Sequence, residues 1–281
     1  MVRFMKKVAI IGLGWLGLPL ALELMRSGMD VVGSKTTPDG VNAARMSGID
    51  CYQLLLTPDI ECEAEDLVQL MNATDVLVIM LPANKTAEGG IGYLKAVQLL
   101  VDTALSYTIP RIIFTSSTSV YGAQSGTLNE DAELYPNTEV GKTLVEVENW
   151  LHQLPNISVD ILRLAGLVGE ARHAGRFLAG QTALTGGNEP VNLIHQDDII
   201  TAIKLLILRP EGGNIYNLCA PEHPIRSSYY TTASQQVALQ PPEFISESMP
   251  IAGKIIDGSR ICRELGFEYN YPDPGNMPMS L

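Results

Sequence analysis

Val8-Ala9-Ile10-Ile11-Gly12-Leu13-Gly14-Trp15-Leu16-Gly17 decides how this chain folds. Four apolar residues in a row read as a strand buried on both faces, and the stretch from Leu16 to Ser27 reads as an amphipathic helix. The three glycines between them have separate tasks. Gly12 permits the tight turn, Gly14 lets the backbone approach a pyrophosphate, and Gly17 lets helix and strand pack closely. The helix N-terminal amides then face an anion. Gly-x-Gly-x-x-Gly is a weak signal alone, but here it follows a strand and opens a helix, the context a dinucleotide requires. Lys6-Lys7 ahead of uncharged residues from Val8 to Leu22 imitates a secretory leader. Cleaving it would remove the first strand, no small-x-small site closes it before Arg26, and Glu23 leaves it short of the roughly 20 residues of a membrane span.

Working outward, strand-like and helix-like stretches alternate. Val31 to Gly33, Cys51 to Leu55, Val76 to Leu81, Arg111 to Thr115, Val159 to Leu164 and Ile215 to Leu218 read as strands. Ile91 to Tyr107 and Glu139 to Leu154 read as long helices. The expected fold class is α/β: a Rossmann-type, doubly wound parallel sheet with a small interleaved C-terminal substrate lobe. The dinucleotide domain is expected over 1–165, completed by 191–219, and the lobe over 166–190 and 220–281, where glycine, proline and polar residues interrupt the alternation. Between the lobe segments, Val191 to Leu208 reads as a strand edge and a helix, with Asp197-Asp198 at the helix N-terminus.

A hydrophobic fraction of 46% excludes disorder, and 19 Lys plus Arg against 31 Asp plus Glu leaves a net charge of −12. That charge repels nucleic acid and anionic membrane surfaces, so neither is expected as a partner. Cys51, Cys62, Cys219 and Cys262 are scattered, without metal-ligand spacing, and are expected as reduced thiols of a cytoplasmic protein. No metal site is expected.

NAD binders usually carry an acid at the end of the second strand to bond the ribose. This chain has Gly33-Ser34-Lys35-Thr36-Thr37 instead. Ser34 and Lys35 are suited to a 2′-phosphate, which makes NADP the expected cofactor and NAD the alternative.

Ser116-Ser117-Thr118-Ser119-Val120-Tyr121-Gly122, Ile161-Leu162-Arg163-Leu164, Asn192 to Asp198 and Asn214-Ile215-Tyr216-Asn217 resemble, in order, segments of the NAD-dependent epimerase/dehydratases of the extended short-chain dehydrogenase class. The glycine loop by itself also resembles that of hydroxyacid dehydrogenases. Gly12 to Gly17, Gly33 to Gly40 and Lys254 to Tyr269 are similar to an atypical subgroup of the epimerase class. The resemblance implies that Ser117 bonds a substrate hydroxyl or carbonyl and that Lys142 bonds the nicotinamide ribose. It also implies a tyrosine four residues before that lysine to transfer the proton. This chain has Thr138 there, whose hydroxyl is less acidic and shorter in reach than a phenol. Tyr135 precedes Pro136, which biases it away from helical geometry, so a shifted motif fails.

The expected catalytic residues are therefore Ser117, Lys142 and Tyr121, the last as a replacement acid or a pocket wall. The expected cofactor contacts are Gly12, Gly14, Trp15, Leu16, Gly17, Ser34, Lys35, Thr36, Leu81, Pro82, Thr115 and Lys142. His195 either meets a ligand or fixes a turn, and Arg163 anchors a strand end. Arg172, His173 and Arg176 either meet an anionic substrate or are solvated. The expected function is an NAD(P)-dependent oxidoreductase or epimerase-like protein acting on a small polar or nucleotide-linked substrate. The alternative is a catalytically silent dinucleotide sensor working through a protein partner. The resemblance also implies a homodimer built on the two long helices, with Val145, Trp150 and Leu151 as its apolar face.

Overall fold

The computed structural model describes residues 5–56, 59–83, 89–155, 157–246 and 253–281. Two compact units emerge, one of residues 1–120, 138–162 and 203–215, the other of 121–137, 163–202 and 216–281. This differs from the expected division, because 121–137, 163–165, 191–202 and 216–219 fall in the second unit. The reason is bonding within that unit: Tyr121 reaches Asn217, Gly166–Val168 pairs in parallel with Leu193–His195, and the His195 ring bonds the Pro278 carbonyl.

A seven-stranded sheet holds β1 (Lys7–Ile11), β2 (Asp30–Lys35), β3 (Asp50–Gln53), β4 (Val76–Ile79), β5 (Arg111–Ser117), β6 (Ser158–Leu164) and β7 (Ile215–Leu218). Their order is β7-β6-β5-β4-β1-β2-β3. The pairs from β5 through β3 are parallel, with Ile10 opposite both Gly33 and Val78. Every residue of β1 and β4 is buried, which is why β4 and the part of β1 after Lys7 read as unbroken apolar runs. Strand order reverses between β1 and β4, the switch point where open α/β sheets bind ligands beyond their strand ends.

The helices of this unit include α1 (Gly17–Arg26), α2 (Pro38–Met46), α3 (Ala64–Met71), α4 (Gly89–Ser106) and α5 (Glu139–His152). On α1 the buried residues Gly17, Leu20, Ala21 and Leu24 recur at helical spacing. Neither α2 nor α3 was among the expected elements. α2 buries only Val41 and Ala44, so a cap starts it where periodicity is faint: Thr37 accepts the Gly40 amide and Pro38 opens the first turn. α1, α2 and α4 end alike, the amide two residues past the helix cap reaching back to a last-turn carbonyl. The bonds are Met29 to Leu24, Ile49 to Ala44 and Ile109 to Ala104. Glycine takes the left-handed position in the first two and Thr108 in the third, at φ 57°.

The far side of the sheet is tied by a buried ion pair, Arg111 Nη2 to Asp160 Oδ2 at 2.6 Å. Arg111 also donates to the Arg209 carbonyl, and the other Asp160 oxygen accepts the Gly213 and Asn214 amides at 3.0 and 3.2 Å. β5, β6 and the turn into β7 are thus held by one carboxylate.

In the second unit α6 (Gln196–Leu208) begins, and α7 (Arg226–Gln236) and α8 (Ser259–Leu265) lie within it. Gly126–Leu128 pairs in parallel with Lys254–Ile256. Its core gathers Val168, Ala174, Val191, Leu193, Ala220, Tyr229, Ala233 and Met277. α7 escapes sequence reading because only Tyr229, Ala233 and Ser234 of its residues are buried. Asp198 fastens the C-terminal segment by accepting the Asn270 and Tyr271 amides at 2.7 and 3.2 Å. Among the described residues, no helix is long and apolar enough to cross a membrane.

Candidate dinucleotide site and serine turn

The first unit contains a cavity of about 440 Å³ beyond the ends of β1, β2 and β4. Its walls are Gly12, Leu13 and Gly14 after β1, then Ser34, Lys35 and Thr36 at β2. Met80, Leu81 and Pro82 follow β4, with Leu54 and Leu56 beside them and Tyr93 and Ala96 from α4. The glycine loop is pinned from β2. The Ser34 carbonyl accepts the Leu13 amide at 3.0 Å and its Oγ accepts the Gly12 amide at 3.2 Å. Gly12 sits at φ 104°, and a side chain there would strike the Met80 carbonyl. A side chain on Gly17 would strike the Gly12 carbonyl, whereas one on Gly14 would meet nothing within 4 Å. Gly14 is thus the place where backbone faces open space, the requirement for close approach of a pyrophosphate. α1 has no side-chain cap, and of its first four residues the Leu18 and Leu20 amides donate to the Gly14 and Leu16 carbonyls and Pro19 has no N–H, which leaves the Gly17 amide to face an anion.

Of the expected cofactor contacts, Gly12, Gly14, Ser34, Lys35, Thr36, Leu81 and Pro82 line this cavity; Trp15, Leu16, Gly17, Thr115 and Lys142 do not. Ser34 differs from its expected role. It is buried, and its Oγ accepts the Gly12 amide, so it holds the loop in place. Lys35 is the only charged residue of the lining, and its ammonium makes no ion pair among the described residues. Its stem lies beside Gly40, where an added Cβ would come within 3.3 Å of Lys35 Cδ. Sequence reasoning missed Ile11, Leu13, Leu54, Leu56, Met80, Tyr93 and Ala96. Tyr93 is buried, which pushes its phenol pKa up, and it donates to the Leu81 carbonyl at 3.0 Å. Its only sequence signal was the spacing of Tyr93 and Ala96 on one face of α4.

At the end of β5 the side chains alternate. Ser116 donates to buried Glu148 of α5 at 2.5 Å, while Ser117 is half-buried and its Oγ accepts the Ser119 amide at 3.1 Å. With that lone pair occupied, the Ser117 hydroxyl keeps its proton for donation. Thr115 donates to the Ile79 carbonyl. Thr138 is the cap of α5 rather than a residue of its face. Its backbone is extended, at φ −121° and ψ 153°, and its Oγ1 accepts the Gly141 amide at 3.1 Å. Lys142 is exposed and bonds Glu139 at 2.7 Å, a bond that raises the ammonium pKa.

In the second unit Tyr121 is 0% exposed. Its hydroxyl lies 2.8 Å from Asn217 Oδ1 and 3.0 Å from the Asn129 carbonyl, one of which takes its proton, and it accepts from Arg163 at 2.9 Å. Burial raises its pKa against the opposing pull of Arg163. With every hydroxyl partner in the protein, Tyr121 serves as an anchor, and Arg163 anchors with it. His195 fixes its turn: Nδ1 accepts the Asp197 amide at 3.2 Å, leaving Nε2 to donate to the Pro278 carbonyl at 2.8 Å. The three candidate anion ligands do not form one group. His173 is buried and caps a short turn by accepting the Gly175 amide, Arg172 donates to the Leu167 carbonyl, and Arg176 is exposed. All four cysteines are free; Cys51 and Cys219 are buried, and Cys62 and Cys262 are half-buried. Among the described residues no three His, Cys, Asp or Glu are grouped to hold a metal ion.

Comparison with known proteins gives the site its family context. Residues 8–219 match the NAD dependent epimerase/dehydratase family. The chain is 58% identical over 275 residues to Protein YeeZ of Escherichia coli (strain K12), covering 98% of this chain and 100% of that protein. In fold it is similar to the UDP-glucose 4-epimerase of Thermotoga maritima, solved with UDP-glucose, with a TM-score of 0.76 and 14% identity over 94% of each chain. It is also similar to a short-chain dehydrogenase/reductase superfamily protein of Agrobacterium tumefaciens with bound NAD. There the TM-score is 0.73 and the identity 17%, over 95% of this chain and 93% of that one.

Proposed function

We propose that this chain, which belongs to the NAD dependent epimerase/dehydratase family, binds a dinucleotide in the cavity of its first unit with a preference for NADPH, and works as an oxidoreductase or epimerase-like protein of the cytoplasm. One observation carries the cofactor preference: the cavity lining holds Lys35 and no carboxylate. A carboxylate at the end of β2 would bond the two ribose hydroxyls of NAD and repel a 2′-phosphate. A lysine there reverses both effects. A charge-assisted hydrogen bond is worth about 1.5–3 kcal/mol, so NADPH is expected to bind roughly 10- to 100-fold more tightly than NADH, and Lys35→Ala to bring the two close together. Calorimetry with both reduced cofactors checks this. Equal affinities in the wild type, or tighter NADH binding that Lys35→Ala leaves alone, defeat the preference.

Once bound, the cofactor supplies a hydride donor or acceptor. The chain's own contribution would be Ser117, whose hydroxyl keeps a proton to donate to a substrate oxygen, and Lys142, which would exchange its surface bond to Glu139 for the cofactor ribose. A surface pair of this kind is worth at most about 1 kcal/mol and is readily given up. The second reading, a silent dinucleotide sensor, draws on a different observation. Thr138 is spent on capping α5 and Tyr121 on anchoring the second unit, so neither stands ready as the proton-transfer group.

We also propose a homodimer through α4 and α5, which pack closely enough that a side chain on Gly90 would strike Thr143. Leu151 drops out of the apolar face because it is buried inward, leaving half-buried Val145 and Trp150. Sedimentation at tens of micromolar is expected to show twice the 30.5 kDa chain mass, and Trp150→Asp to show the chain mass alone. A wild type that sediments only as a monomer defeats the proposal.

A further inference from the structure

We infer that Gly40 is a positioning residue for the choice of cofactor: having no side chain, it leaves the space along which the Lys35 stem lies, and so sets where the ammonium meets a 2′-phosphate. The inference rests on the reading that a dinucleotide occupies the cavity of the first unit with its 2′-phosphate at Lys35.

Gly40 is the third residue of α2, after the cap Thr37 and the first-turn residues Pro38 and Asp39. Nothing in its backbone calls for glycine, since its φ lies outside the left-handed range. Glycine is also a poor choice there for the helix. It loses more conformational freedom than any other residue, and the third position after a threonine cap is where a glutamine or glutamate reaches back to complete the cap. The space around it supplies the reason. An added Cβ would lie 3.0 Å from Thr37 Oγ1, 3.3 Å from Lys35 Cδ and 3.4 Å from Lys35 Cβ. Both ends of the lysine stem thus border the missing side chain, and the ammonium follows just past the farther of them.

The backbone that carries Lys35 is fixed from the other side. Lys35 ends β2 opposite Gln53 of β3, its carbonyl accepts the Leu54 amide at 2.9 Å, and Gln53 Nε2 donates to the Thr36 carbonyl at 3.1 Å. With the main chain held by β3, the freedom left to Lys35 is in its side-chain torsions, and the open face of Gly40 decides which of them are allowed. A charge-assisted bond to phosphate depends on that placement, because an ammonium that must first be ordered gives up entropy that a placed one does not. The ribose hydroxyls of NADH make no such demand. Filling the space at Gly40 therefore acts on NADPH and spares NADH.

The test measures both reduced cofactors by calorimetry, with thermal melting alongside, on the full-length wild type, Gly40→Ala, Gly40→Gln and Lys35→Ala. The preference for NADPH is expected to fall about threefold in Gly40→Ala and to the level of Lys35→Ala in Gly40→Gln, with NADH affinity within about twofold of wild type. Neither Gly40 variant is expected to melt lower than the wild type, because each replaces glycine inside a helix. A preference kept in Gly40→Gln, or an equal loss of both cofactors, overturns the inference. So does a lower Tm in Gly40→Ala, which would show that the helix itself needs the glycine. A third overturning result is a loss of NADPH affinity on adding Gly40→Gln to Lys35→Ala, since a positioning residue acts only through the group it places. Failure of the dinucleotide reading is distinguishable: it appears in the wild type, as equal affinity for the two cofactors or none for either, and removes the preference that Gly40 is inferred to set.

Discussion

Loaded with NADPH and offered an aromatic diketone as a generic carbonyl probe, the wild-type protein is expected to oxidise its cofactor about 10² to 10⁴ times more slowly than a reductase with a positioned acid, the range such a group contributes. The shortfall follows from three placements. Thr138 stands where the family resemblance implies a tyrosine, and its hydroxyl accepts the Gly141 amide as the cap of α5. Tyr121 is wholly buried with its hydroxyl shared among Asn129, Asn217 and Arg163. Ser117 retains a proton, but an aliphatic alcohol is a poor acid near neutral pH. Single-turnover stopped flow under NADPH saturation reads the rate without confusing it with binding.

The same placements decide what Thr138→Tyr should do. A tyrosine at a cap position cannot accept the Gly141 amide, so the variant is expected to lose about 1 kcal/mol of stability and to leave the rate unchanged. Thr138→Ser, which keeps the cap, is expected to keep the stability. A gain of a hundredfold or more in Thr138→Tyr would mean that the new phenol reaches the cofactor after all. Ordinary enzymatic turnover in the wild type, stopped by Tyr121→Phe with NADPH affinity intact, would return the acid's role to Tyr121.

The second large effect is on stability. Asp160→Ala is expected to destabilise the protein by about 3–5 kcal/mol, since removing one partner of a buried pair leaves the other charge uncompensated. Arg111 would keep only the Arg209 carbonyl among the bonds described, and the Gly213 and Asn214 amides would lose their acceptor. For a chain of this size the melting temperature should fall by roughly 10 °C. Asp39→Ala, an exposed helix residue away from this network, is expected to stay within about 0.5 kcal/mol and serves as the control. Equal melting temperatures for Asp160→Ala and the control would show that the pair does not hold β5, β6 and the β7 turn together.

What the sequence by itself determined is the sheet and the dinucleotide loop. The strands read from unbroken apolar runs were found within a few residues of their expected limits, because strands buried on both faces leave a signal that no packing partner can change. Gly12, Gly14 and Gly17 were equally clear, since a tight turn, an open backbone and a close helix contact each exclude a side chain for local reasons. Only the tertiary structure decided the tasks of the polar residues. Ser34 read as a phosphate ligand until its hydroxyl was found on the Gly12 amide, and Thr138 as a vacant catalytic position until it was found capping α5. Tyr121 read as a replacement acid or a pocket wall until it was found wholly buried, with its hydroxyl held by Asn129, Asn217 and Arg163. A hydroxyl can donate or accept in many directions, and its role is set by whichever group the fold brings within about 3 Å. Most such partners lie far along the chain, 22 residues from Ser34 to Gly12 and 96 from Tyr121 to Asn217, where neither periodicity nor spacing carries information.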